Sequence, residues 1–148
     1  MKQTPGPLIL IVEDEGLIVL EMMEFLAREG YTVPEPVSTG EEAVERCGES
    51  PRPDLVLMDV HLAGEIDGIE AARRIRGLNP VPVIIMTACE DGRTGARLKE
   101  LAPEGYFVKP ATHKDILAAV KLVLGSVDRK GSGKTGKGNL TDAGQRDQ

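Results

Sequence analysis

Four apolar runs in this chain end in side chains able to do chemistry. Leu8-Ile9-Leu10-Ile11-Val12 leads into Glu13 and Asp14, and Leu55-Val56-Leu57-Met58 leads into Asp59. Val83-Ile84-Ile85-Met86 leads into Thr87, and Tyr106-Phe107-Val108 leads into Lys109. Runs of this length read as strands buried on both faces, and an open parallel sheet binds its ligands beyond the carboxyl ends of its strands. One carboxylate after a strand marks only where that strand meets water. Four strands delivering three carboxylates, a hydroxyl and an ammonium to one edge point to a site.

Its chemistry follows from charge. Carboxylates about 4 Å apart repel by roughly 4 kcal/mol per pair at an effective dielectric near 20, and one lysine offsets part of that. A divalent cation resolves the rest. Hard oxygen donors with room for water and phosphate suit Mg2+ better than Zn2+, because the strand tips carry neither His nor Cys. Asp59, the central carboxylate, can then attack phosphorus as a nucleophile and form an aspartyl phosphate. The cation and Lys109 would stabilise charge on the transferring oxygens, and the Thr87 hydroxyl would hydrogen-bond one of them.

The elements that must position these groups alternate along the chain. After the first strand, Ile18, Met22, Phe25 and Leu26 recur at helical spacing from about Gly16 to Glu29, and Gly30 stops that helix. Tyr31 to Val37 is expected as a short edge strand. If Val33, Glu35 and Val37 pair inward, Pro34 and Pro36 face outward, where no donor is needed. Ser38 and Thr39 with Glu41 and Glu42 form overlapping capping boxes for a helix to about Cys47. A third helix covers Gly68 to Arg76. A fourth, in Gly92 to Leu101, is weakened by Gly92 and Gly95. Thr112 caps a fifth that reaches about Leu124. Five strands alternating with five helices predict an α/β fold with a doubly wound parallel sheet. The proline-marked second strand at an edge favours the flavodoxin-like order 2-1-3-4-5.

Composition limits what this fold serves. The chain has 148 residues, enough for one domain with a real core, and its 3% of aromatic residues make that core aliphatic. Residues 126–148 hold Arg129, Lys130, Lys134, Lys137 and Arg146 against three Asp. This surplus of two positive charges leaves residues 1–125 at -8 out of a net -6. An acidic body argues against direct nucleic-acid binding. No run approaches the roughly 20 apolar residues that span a bilayer, and no signal peptide is evident, so no membrane insertion is expected. Cys47 and Cys89 fit no metal spacing or disulfide framework and read as reduced thiols of a cytoplasmic protein. The chain divides into a domain at residues 1–125 and a Gly/Lys-rich tail at 126–148, expected to be disordered. The tail's Gly131-Ser132-Gly133-Lys134-Thr135-Gly136 imitates phosphate-binding loops, but it neither follows a strand nor opens an apolar helix.

Taken as an ordered set, Val12-Glu13-Asp14-Glu15, Leu57-Met58-Asp59, Asp67-Gly68, Met86-Thr87-Ala88 and Gly105-Tyr106-Phe107-Val108-Lys109-Pro110 resemble the response-regulator receiver domain of two-component signalling. The resemblance covers about residues 8–125. It implies Asp59 as phospho-acceptor, Asp14 as a direct Mg2+ ligand, Glu13 as a mainly water-mediated one, and the His61 backbone carbonyl as a further contact. It implies Thr87 and Tyr106 as a switch pair, Lys109 as the phosphate-binding lysine, and a cis peptide at Lys109-Pro110. His61 and Cys89 occupy positions that tune phosphoryl lifetime in the family. The departure is the loop Leu62-Ala63-Gly64-Glu65-Ile66-Asp67, one residue longer than usual and lacking the family's proline.

The expected function is a phosphorylation-dependent switch that catalyses only its own phosphorylation and dephosphorylation. Its partners would be a sensor histidine kinase or histidine phosphotransfer protein, a downstream protein target and, on phosphorylation, a second copy. Output would leave through the glycine-weakened helix, the last strand and the last helix. Since no further domain follows Leu124, a stand-alone receiver is expected. A receiver cut from a hybrid kinase or transcriptional regulator is the alternative. A dehalogenase-type phosphatase also uses an Asp nucleophile, but it needs a second Asp where this chain has His61.

Overall fold

A computed structural model describes residues 5–88 and 92–129, with side chains as far as residue 125. Five helices and four strands follow one another along the described residues, alternating except that the first helix leads directly to the second. Strands β1 (Ile9–Val12), β2 (Leu55–Asp59) and β3 (Val83–Thr87) are buried at every position, as their unbroken apolar runs require. Strand β4 (Gly105–Val108) alternates between half-buried and exposed residues, which marks it as an edge. All neighbouring pairs are parallel. Val12 pairs with Met58, Asp59 with Met86, and Thr87 with Val108, so the strand tips finish nearly level.

Helix α1 (Gly16–Arg28) buries Val19, Met22, Phe25 and Leu26, while Ile18, expected inward, is half-buried. Gly30 closes it at φ 99°, a conformation without penalty only for glycine. Tyr31 N–H donates to the Leu26 carbonyl, and Gly30 N–H to that of Ala27. Helix α2 (Gly40–Cys47) begins on Thr39, whose Oγ1 accepts the Glu42 N–H at 3.1 Å, and the Glu42 carboxylate accepts the Ser38 N–H at 3.3 Å. Thr39 thus caps the helix as expected, but the overlapping boxes form only in part: Glu42 takes the Ser38 N–H rather than that of Thr39, and Glu41 turns to the N–H groups of Glu65 and Ile66. Helix α3 (Gly68–Leu78) begins on Asp67. Helix α4 (Gly92–Leu101) buries only Leu98 and Leu101. Helix α5 (His113–Arg129) begins with a reciprocal pair, Asp115 N–H to Thr112 Oγ1 at 3.0 Å and Thr112 N–H to an Asp115 carboxylate oxygen at 3.3 Å.

The sheet has a core on each face. Ile9, Ile11, Leu55, Leu57, Ile84 and Met86 pack with α1 and α5. Leu10, Val12, Val56, Met58, Val83 and Ile85 pack with residues of α2, α3 and α4. Alternate strand residues thus serve opposite layers, as the pleat demands. Among the described residues no helix is long and apolar enough to cross a membrane.

Two expectations need correction. The sheet has four strands in the order β1-β2-β3-β4, rather than five in the order 2-1-3-4-5. The segment expected as an edge strand meets the β1 side only through isolated parallel bridges, Leu8 with Thr32 and Val12 with Val37. Five steps from Thr32 to Val37 face four steps from Leu8 to Val12, so one extra residue breaks the register. Pro34 and Pro36, lacking N–H groups, fall inside that gap. The inward set is therefore Thr32 and Val37, not Val33, Glu35 and Val37. Secondly, α5 runs to Arg129, past its expected end near Leu124, so residues 126–129 are helical. A single glycine at 125 costs only about 1 kcal/mol against propagation from the preceding turns. The rest of the expected tail, residues 130–148, lies outside the described residues, as does Cys89.

Candidate functional site

The level strand ends bring the predicted carboxylates together. Oxygens of Glu13, Asp14 and Asp59 all lie within 4.8 Å of one another. Glu13 and Asp59 are each only 4% exposed, whereas Asp14 is exposed. Lys109, one residue past β4, reaches back between them, its Nζ 3.0 Å from Asp59 Oδ1 and 3.4 Å from Glu13 Oε1. The Glu15 N–H donates to Glu13 Oε2 at 3.3 Å. The electrostatics follow from this crowding. Burial, reinforced by the Asp59 charge, holds the Glu13 carboxyl above its ordinary pKa despite the ammonium beside it. Burial alone would lower the Lys109 pKa, but the hydrogen bond and charge of Asp59, together with Glu13, raise it.

One ammonium against three carboxylates leaves the cluster short of positive charge. Three hard oxygen donors, one of them open to solvent, are the donor set that a divalent oxygen-seeking cation takes. These residues therefore fit a metal such as Mg2+.

The remaining predicted residues are distributed unevenly. Thr87 ends β3 fully buried, one position beyond the partner of Asp59, and its carbonyl accepts the Lys109 N–H at 2.7 Å. Tyr106 pairs with Ile85, which puts it on the α4 side of the sheet and two residues back from the tip; it is 37% exposed. His61 is exposed. The Lys109-Pro110 peptide is cis, as is Ser50-Pro51.

The long loop after Asp59 is tied down along its length. The Val60 N–H donates to the Met86 carbonyl at 3.0 Å, and the Gly68 N–H to the Val60 carbonyl at 2.8 Å. Gly68 lies so close to the acceptor strand that a Cβ there would sit 1.9 Å from the Asp59 carbonyl oxygen. Between these ends, Glu41 of α2 accepts the N–H groups of Glu65 at 3.0 Å and Ile66 at 3.3 Å, and Ala63 bridges to Thr39. Gly64 adopts φ 93° against Thr39 and Glu41. Asp67 accepts the Glu70 N–H at 2.9 Å and meets Arg97 of α4 at 2.6 and 2.9 Å. Sequence reasoning missed Glu41 and Arg97. Glu41 reads locally as a capping residue, and Arg97 reads as one more exposed charge on a weak helix.

Comparison with known proteins gives this arrangement a family. The profile of the response regulator receiver domain matches residues 9–121. The chain belongs to that family. The transcriptional regulatory protein PdtaR of Mycobacterium tuberculosis is 36% identical over 116 residues, 78% of this chain and 56% of that protein. ResD of Bacillus subtilis, also a transcriptional regulatory protein, is 34% identical over 124 residues, 84% of this chain and 50% of its own length. The receiver thus spans about half the length of these relatives. Among solved structures, the signal receiver domain of a modulated diguanylate cyclase from Desulfovibrio desulfuricans superposes with a TM-score of 0.76 at 34% identity. That match covers 84% of this chain and 98% of that one. The receiver domain of a signal transduction histidine kinase from Syntrophus aciditrophicus gives 0.76 at 33%, over 84% and 94%. Receivers of this family serve two-component signalling as non-enzymatic phospho-acceptors and bind Mg2+ at an acidic pocket. Glu13, Asp14 and Asp59 form an acidic group that could hold such an ion.

Proposed function

We propose that Asp59 of this receiver accepts a phosphoryl group from a phosphohistidine of a sensor kinase or phosphotransfer protein. The observation that carries the proposal is the Lys109 ammonium 3.0 Å from the Asp59 carboxylate, inside a buried carboxylate cluster at a strand tip. An Asp59 oxygen forms a bond to phosphorus as the donor's N–P bond breaks, and the imidazole leaves with the electron pair. Lys109 stays cationic across the physiological range and neutralises charge on the phosphoryl oxygens. Glu13, Asp14, Asp59 and the His61 carbonyl would hold Mg2+, which supplies further positive charge to the same oxygens. Burial around Asp59 keeps bulk water from the acyl phosphate, while exposed His61, with Cys89, would tune its lifetime.

The new group adds negative charge and strong acceptor oxygens. Thr87, at the tip of the neighbouring strand, would answer them. Tyr106 follows as its switch partner, and the output face comprises α4, β4 and α5. A downstream protein target, or a second phosphorylated copy, would read that face. A cytoplasmic location belongs to the same reading.

Incubation with Mg2+ and an acyl phosphate donor should add one phosphoryl group per chain by intact mass, and Asp59→Asn should abolish it. Steady release of phosphate from an ester, with no stoichiometric adduct, would instead favour the dehalogenase-type enzyme.

The stand-alone receiver competes with a second reading, a receiver belonging to a longer regulator or hybrid kinase. That the matched segment makes up only 56% of PdtaR and 50% of ResD supports the second. An immunoblot of the native gene product, read for length, separates them.

A further inference from the structure

Helix α4 is held by unusual means for an element of the core. Gly92 and Gly95 lower its intrinsic stability, and neither glycine is required by packing, since a Cβ at either would meet nothing within 4 Å. The helix buries only Leu98 and Leu101. Two arginines add charged attachment. From α3, Arg76 donates to the carbonyls of Leu101 and Ala102, where α4 ends, and pairs with Glu104. From α4 itself, Arg97 makes a two-pronged contact with Asp67, Nη1 to Oδ2 at 2.6 Å and Nη2 to Oδ1 at 2.9 Å.

The second contact ends beside the acceptor. Asp67 is the cap of α3, and the next residue, Gly68, is fixed against the backbone of Asp59 and Val60 by close packing and a hydrogen bond. The Arg97 fork therefore joins the backbone that carries the phospho-acceptor to a glycine-weakened helix.

We propose that Arg97 is a positioning residue that holds α4 in its resting place and yields when Asp59 carries a phosphoryl group. This rests on the assignment of Asp59 as acceptor and of α4 as part of the output face. A contact made in one of two conformations shifts their equilibrium by its own free energy. Reciprocity then fixes the consequence. Removing a contact peculiar to the resting form tightens binding of a phosphoryl mimic by the factor that it loosens α4.

The test is titration with beryllofluoride and Mg2+, followed by amide shifts in NMR, on wild type, Arg97→Gln, Asp67→Asn and the double variant. Asn at position 67 retains an oxygen to cap α3, so loss of the fork is separated from loss of the cap. Arg97→Gln should bind beryllofluoride more tightly, by roughly 1.5- to fivefold, the range of a partly exposed ion pair. Its α4 amides should lie part-way toward their bound positions before any mimic is added. Asp67→Asn should do the same, and the double variant should go no further. Unchanged or weaker binding in Arg97→Gln, with wild type binding normally, overturns the role of Arg97 alone. If wild type itself fails to bind beryllofluoride, the acceptor assignment falls as well. Should Arg97→Gln fail to fold, Arg97→Lys, which keeps the charge but not the fork, is read by the same criteria.

Discussion

At the scale of single residues, the cluster around Asp59 sets two needs against each other. Glu13 and Asp59 are buried because they sit at strand tips inside the sheet, and burial is what raises the Glu13 pKa. Lys109 relieves that repulsion only in part. A divalent ion that binds the folded cluster and not the unfolded chain must therefore stabilise the protein, by about 2.7 kcal/mol when present at a hundredfold excess over its Kd. We expect Mg2+ to raise Tm in thermal unfolding, EDTA to reverse the rise, and Asp14→Asn to abolish most of it. A Tm indifferent to Mg2+ in wild type would refute the assignment of these carboxylates as a metal site. The strand-tip residues were legible in the sequence because each closes a contiguous apolar run. Arg97 was not legible, because its partner Asp67 lies 30 residues away and no local pattern links them.

At the scale of elements, what could be read was what local chemistry decides. Unbroken apolar runs located β1, β2 and β3. Thr39 and Thr112 marked helix starts because their side chains satisfy open N–H groups nearby, whereas the cap Asp67 was not read. The edge strand failed because pairing depends on matching two segments, and the extra residue between Thr32 and Val37 shows only when both are laid side by side. The long loop was legible as unusual, yet its anchoring on Glu41 is again a contact between distant segments.

Two glycines of this fold make a decisive pair. Gly68 cannot carry a Cβ without meeting backbone, so Gly68→Ala must push α3 off the acceptor strand, at a cost of about 3 kcal/mol or more. Gly95 lies inside α4 with open space around it, so Gly95→Ala should stabilise by up to about 1 kcal/mol. Urea unfolding distinguishes them. Opposite signs are expected, and a destabilising Gly95→Ala would mean that α4 needs its glycine for something other than freedom of the chain.

Across the whole molecule, the two layers on the sheet are built differently. The α1–α5 layer is held by apolar packing, with Phe25 stacked on His113 at a centroid distance of 4.3 Å. The layer of α3 and α4 adds charge to its packing. Glu70 bonds Arg73 and Arg74, Asp67 bonds Arg97, and Arg76 pairs with Glu104. Acid should separate the layers. Hydrogen bonds from Arg73 and Arg74 lower the Glu70 pKa to about 2. Burial would raise that of Asp67, but Arg97 and the Glu70 N–H outweigh it and lower it. A carboxylate with a depressed folded pKa contributes stability above its unfolded pKa and loses it as pH falls through the folded one. For Glu70 that window runs from about 4.5 down to about 2, and for Asp67 it opens below 3.8. Both pairs are partly exposed, so salt should shrink the effect. Hydrogen exchange followed by mass spectrometry from pH 5 downward, corrected for the intrinsic rate, should show α3 and α4 losing protection before α1 and α5. Arg97→Gln, lacking the Asp67 contribution from the outset, should show a smaller further loss in α4. If both layers opened together at every pH and in 1 M salt alike, the charged contacts would be ornaments on a single cooperative core, and acid would act on the sheet as a whole.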